Sequence, residues 1–212
     1  MPFRLVWSIG AAGKRHLADE AAARTALRAM ISELKKQAAM ADAELVAVSS
    51  IAFGADLIFA EECLHAGLPW KVILPFDREE FRKDEFTDEL WGRVERCLAQ
   101  AFEVVVLPAD VADIRLLPPE HPDAGKNRNA RNRAYLDCGH CVVEEADVML
   151  FLYDGKSAGL GGTKDAFDYA TETLKKPAWH WHPETNEASQ LLWPGECPAR
   201  KDRRLFVDSA LQ

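Results

Sequence analysis

Short apolar runs alternate along the chain with longer stretches whose apolar positions recur every three or four residues. Phe3 to Ile9 reads as a first strand ending at Gly10, Glu44 to Val48 as a second, and Trp70 to Leu74 as a third closed by Pro75. Val104 to Leu107 is a fourth. Val148 to Tyr153 is unbroken apolar sequence, the pattern of a central parallel strand covered on both faces. Pro177 to Trp181 is the last.

Between these runs the helical period takes over. Leu17 to Met40 places Leu27, Met30, Ile31 and Leu34 on one face, and Ala55 to Ala66 stops at Gly67. Arg78 to Gln100 holds charged helical segments anchored by Phe81, Phe86, Leu90 and Trp91. Asn129 to Ala146 and Lys164 to Leu174 are also helical, whereas Pro108 to Lys126 is Pro-rich and long enough for a lid or binding loop. This alternation predicts an α/β fold, a Rossmann-like three-layer sandwich whose mainly parallel central sheet has about six or seven strands. Residues 1–185 form the domain, and residues 186–212 a tail that packs on it or extends it.

Composition narrows the function. With 34 acidic against 26 basic residues the net charge is -8, which argues against broad attraction to nucleic acid or anionic membrane, so neither is expected as a partner. There is no apolar leader region and no apolar run near the ~20 residues of a membrane helix. Five cysteines are too few for a disulfide scaffold, so a cytoplasmic setting is expected. Cys138-Gly139-His140-Cys141 spells a redox motif but falls mid-helix, where both thiols read as small buried residues. His180 and His182 share one side of a strand without a third ligand beside them, so no metal site is expected.

In a sheet of this type ligands bind outside the strand carboxyl ends, so the residues after each strand hold the candidate chemistry. After the first strand come Gly10, Ala11 and Gly13, with Lys14 or Arg15 placed to meet a phosphate. The second is followed by Ser49, Gly54 and Asp56, the last either a helix-start acid or an acceptor for ribose or base. Asp154 and Gly155, then Gly159-Leu160-Gly161-Gly162-Thr163, follow the apolar fifth run; glycines before a helix start expose backbone N–H groups to an anion, and Asp165 lies in the first helical turn. Arg128, Arg131 and Tyr135 share a helix face and can clamp a phosphate and stack on a base.

Taken in order, Ser8-Ile9-Gly10, Gly54-Ala55-Asp56-Leu57, Leu74-Pro75-Phe76, Arg131 through Tyr135, Ala146-Asp147-Val148-Met149-Leu150, Asp154-Gly155 and Gly161-Gly162-Thr163 resemble the SLOG superfamily, over residues 3 to 181. That superfamily includes the LOG-type phosphoribohydrolases, DprA-like proteins and nucleotide-sensing domains. The resemblance implies a nucleotide-type, phosphate-bearing small molecule over Gly161-Gly162-Thr163, no required cofactor beyond such a bound nucleotide or phosphate, and a homo-oligomer. It also implies Arg131 and Asp165 as the catalytic pair of a phosphoribohydrolase. The LOG motif P-G-G-x-G-T-x-x-E has no Pro here, and Asp165 stands in for its Glu, which favours a sensor or carrier over a hydrolase. A third reading is a subunit for protein contacts, with Trp91, Trp179 and Trp193 at an interface.

Overall fold

The computed structural model describes residues 5–84, 86–157 and 159–192. Phe3 and Arg4 of the first predicted strand, Trp193 and the rest of the tail lie outside them. Seven strands form one sheet: β1 (Leu5–Gly13), β2 (Ala43–Ser49), β3 (Trp70–Leu74), β4 (Glu103–Val106), β5 (Val148–Leu152), β6 (Ala178–His182) and β7 (Glu187–Leu191). Their order is β4-β3-β2-β1-β5-β6-β7, parallel except for β7, which returns antiparallel to β6. The chain therefore winds outward from β1 to β4, then crosses back to lay β5 on the other side of β1. That reversal puts the switch point between β1 and β5, whose last paired residues are Gly13 and Leu152.

The helices are α1 (Glu20–Met40), α2 (Ala55–His65), α3 (Arg78–Arg82), α4 (Asp88–Leu98), α5 (Val111–Ile114), α6 (Ala124–Glu145) and α7 (Thr163–Asp168), the last running into a π-helical turn over Tyr169–Thr173. The side chains of Asp19, Asp77 and Thr87 accept from the free N–H groups at the starts of α1, α3 and α4. Alternation along the strands divides the core. Ile9, Ala11, Leu150 and Leu152 join α1, α2 and α4 in one hydrophobic layer, while Met149 and Phe151 join α6 and α7 in the other. Each fully buried Leu or Ile, such as Leu27, Ile31 and Leu34 of α1, contributes roughly 1.5–3 kcal/mol.

Three differences from the sequence expectation have physical causes. β1 runs four residues past Ile9, because Ala11 to Gly13 pair with Leu150 to Leu152 and the small residues fit between packed neighbours. The span 108–126 is not wholly irregular: Asp110 caps the short α5 and α6 begins at Ala124. β7, read from sequence as part of a polar tail, is a strand because its backbone pairs with β6, from Ala178 opposite Leu191 to His182 opposite Glu187.

Candidate functional site: the strand ends at the switch point

β1 ends in a turn shaped by α2. Gly54, immediately before α2, has φ +93°, and a Cβ there would lie 2.3 Å from the Arg15 carbonyl oxygen. Two bonds lock the approach: Ala55 N–H donates to the Lys14 carbonyl at 3.0 Å, and Gly13 N–H donates to Asp56 Oδ1 at 3.1 Å. The Ser50 hydroxyl donates to Asp56 Oδ2 at 2.6 Å. Burial lifts the Asp56 carboxyl to about 6, against the pull of Ser50, Gly13 and Arg15. Asp56 thus organises the turn rather than facing outward.

From this turn Arg15 projects into solvent. Its guanidinium carbon stands 5.5 Å from the ring centroid of Phe53 and 5.2 Å from that of Tyr135, so the loop before α2 supplies one aromatic wall and α6 the other. His16 packs edge-on to Phe53 at 5.3 Å. Lys14 turns the other way and forms an ion pair with Asp154 at the end of β5. Asp154 also accepts from Lys156 N–H at 3.1 Å.

Within the glycine-rich segment after β5, Gly161 is packed while Gly155, Gly159 and Leu160 are exposed. Gly161 has φ +80°, and its backbone comes so near α6 that a Cβ would lie 2.4 Å from the Asn132 carbonyl oxygen. Asp165 folds back to accept from Gly161 N–H at 2.7 Å. Gly162 precedes α7 and Thr163 opens it, while Gly155 is exposed with φ +79°.

On α6 the predicted clamp separates into parts. Arg131 is buried: Nε and Nη2 bond Asp84 at 2.8 and 2.6 Å, Nη1 donates to the Ile114 carbonyl and Nη2 to that of Glu80. The Tyr135 hydroxyl also donates to Asp84, and burial together with that carboxylate pushes its phenol well above the ordinary range. Arg128 is exposed.

Of the residues predicted from sequence, the structure gathers Gly13, Gly54, Asp56, Tyr135, Asp154 and the glycine loop around the switch point. Arg128 and Gly155 are exposed at its margin, whereas Gly10, Ala11, Ser49 and Arg131 are buried. Gly10 and Ala11 are inside β1, where a Cβ on Gly10 would meet Met149 Sδ at 2.7 Å, and Ser49 is buried beneath the Asp56 backbone. Of the pair predicted as catalytic, Arg131 spends its charged group on bonds inside the fold, while Asp165 is half-buried and gives one oxygen to Gly161 N–H. The aromatic wall at Phe53 and the anchor Asp84 escaped sequence reading, because nothing local distinguishes them from an ordinary core residue and an ordinary helix-end acid. Cys138 and Cys141 do lie within α6, and burial raises both thiols.

No family model and no curated protein matches the chain. Solved structures do. DNA processing protein A (DprA) from Streptococcus pneumoniae superposes with a TM-score of 0.54 at 15% identity, over 82% of this chain and 50% of that one. DprA from Helicobacter pylori gives 0.53 at 16% identity, over 86% and 68% respectively. The fold is DprA-like. The chain spans half the length of the pneumococcal protein.

The DprA-like fold corrects two expectations. These neighbours process DNA, and the Helicobacter pylori protein has a single-stranded DNA binding mode, which overturns both the sensor or carrier of a small nucleotide and the exclusion of nucleic acid as a partner. The phosphoribohydrolase alternative falls with the sensor, and the protein-contact alternative gains no support. The charge argument fails because net charge sums the whole surface, whereas a strand senses charges within a Debye length of roughly 10 Å. Among the described residues, no helix is long and apolar enough to cross a membrane.

Proposed function

We propose that this chain binds single-stranded DNA across the carboxyl ends of β1 and β5. The observation that carries the reading is Arg15, an exposed guanidinium stacked on both Phe53 and Tyr135 beside the switch point. A single strand needs positive charge for its phosphates and flat faces on which its bases stack, and the exposed planar guanidinium of Arg15, held against the buried ring of Phe53 and the half-buried ring of Tyr135, offers both. Arg128 extends it: seven residues before Tyr135, it is on the same side of α6, exposed and without an ion pair among the described residues. The likeness to proteins that process DNA supports the same class of ligand. A cytoplasmic setting accompanies this reading, supported by Cys63, Cys97, Cys138 and Cys141 all being free.

Fluorescence anisotropy of a labelled oligo-dT, titrated with the protein at several salt concentrations, tests it. The expected result is saturable binding that weakens as salt rises and prefers the single strand to a duplex of equal length. No binding at low salt, or equal affinity for the duplex, overturns it.

A further inference from the structure

A second cation stands at the end of β1 next to Arg15, already paired with a carboxylate. Lys14 follows β1 directly, its backbone N–H bound to the Leu152 carbonyl at 3.0 Å, so its position beside β5 is set. Its ammonium sits on the carboxylate of Asp154, whose side chain is only 3% exposed while that of Lys14 is 35% exposed. Asp154 cannot follow a departing lysine, because its other oxygen accepts from Lys156 N–H at 3.1 Å. The Lys156 ammonium, 3.8 Å away, is drawn off towards Glu184 at 2.6 Å.

Resting on the reading above, we propose that Asp154 sets the affinity of the DNA site by withholding Lys14 from the strand. The carboxylate occupies the place at the ammonium that a backbone phosphate would otherwise take. Removing the cation from a buried carboxylate costs more than one solvent-exposed phosphate contact returns, so Lys14 stays where it is. The site is thereby restricted to Arg15 and Arg128, and its grip on the phosphate chain is moderate by construction. Binding releases fewer counterions than the number of nearby basic residues suggests.

A double-mutant cycle on oligo-dT binding tests this. Lys14→Ala alone is expected to leave the salt slope unchanged, with only a small loss of affinity from the uncovered Asp154 carboxylate. Asp154→Asn frees Lys14 and is expected to tighten binding roughly tenfold and steepen the salt slope by about one unit. Lys14→Ala added to Asp154→Asn abolishes that gain. Without DNA present, acylation of Lys14 followed by mass spectrometry is expected to be faster in Asp154→Asn than in the parent. If Lys14→Ala alone weakens binding and flattens the slope, the lysine already reaches the strand and the inference is overturned while the DNA reading stands. If Asp154→Asn is folded but binds no better, it is overturned likewise. Absence of binding by the parent and by Asp154→Asn removes the DNA reading itself.

Discussion

Arg131 and Asp84 form a two-pronged ion pair, Nε to Oδ1 at 2.8 Å and Nη2 to Oδ2 at 2.6 Å, that ties α6 to the residues following α3. The same guanidinium lies 4.2 Å from the Phe76 ring centroid, so aromatic packing holds it from the side. Both partners are largely buried, and removing one strands the other's charge. Arg131→Ala is expected to cost about 3 kcal/mol, a melting temperature lower by roughly 10 °C. Calorimetry checks this; an unchanged melting temperature would show that Asp84 is well solvated without its partner.

Asp56 makes stability depend on pH in an unusual direction for a carboxylate. Its folded pKa is about 6, above its ordinary value of 3.8, so the folded chain holds the proton more tightly than the unfolded one. The stability this contributes is fully present below pH 3.8 and is lost as pH rises through 6, on the order of 3 kcal/mol in all. Asp56→Asn still accepts from Gly13 N–H and is expected to remove this fall. Urea unfolding midpoints of both proteins between pH 4 and 7 provide the comparison; parallel curves refute the assignment.

Gly54 and Gly155 both have positive φ, but only Gly54 is crowded, with the Lys14 and Arg15 carbonyls within 2.4 Å of an added Cβ. Around Gly155 nothing lies within 4 Å. Gly155→Ala therefore meets backbone strain alone, about 1 kcal/mol, whereas Gly54→Ala must also move the β1 turn and is expected to lose more than twice that. Equal losses in chemical denaturation would mean that the turn yields freely.

Arg15→Ala is expected to weaken oligo-dT binding roughly tenfold and to lower the salt slope by about one unit, the signature of one lost phosphate contact. Arg15→Lys keeps the charge but loses the planar stack on Phe53 and Tyr135. It should retain the salt slope and lose part of the affinity. Anisotropy titrations at three salt concentrations separate the two effects, and an Arg15→Ala protein that binds like the parent sinks the placement of the site.

Reading the β1 turn from sequence succeeds in part. Gly54 ahead of a helix, the Lys14-Arg15 pair and the apolar run at β5 are local patterns, and each stands where its pattern predicts. What Arg131 does is not local. On a helix with Arg128 and Tyr135 it looks like part of an exposed clamp, and only Asp84, 47 residues away, turns it inward. Asp165 stands in the first turn of α7, as its place after the glycine loop predicts, and its bond from Gly161 N–H is a tertiary detail that spacing does not give.

Periodicity along the chain determined the first six strands, the longer helices and the α/β class, because backbone pairing and one-sided burial leave marks at spacings of two and 3.6. Strand order is written nowhere in those spacings, and tertiary packing alone set β5 against β1 and so made the switch point. The same packing assigned each charge its partner. Lys14 and Arg15 are neighbours in sequence, yet one is tied to buried Asp154 and the other stands free on two aromatic rings, since the energy of a charge depends on what lies within a few ångströms of it in space.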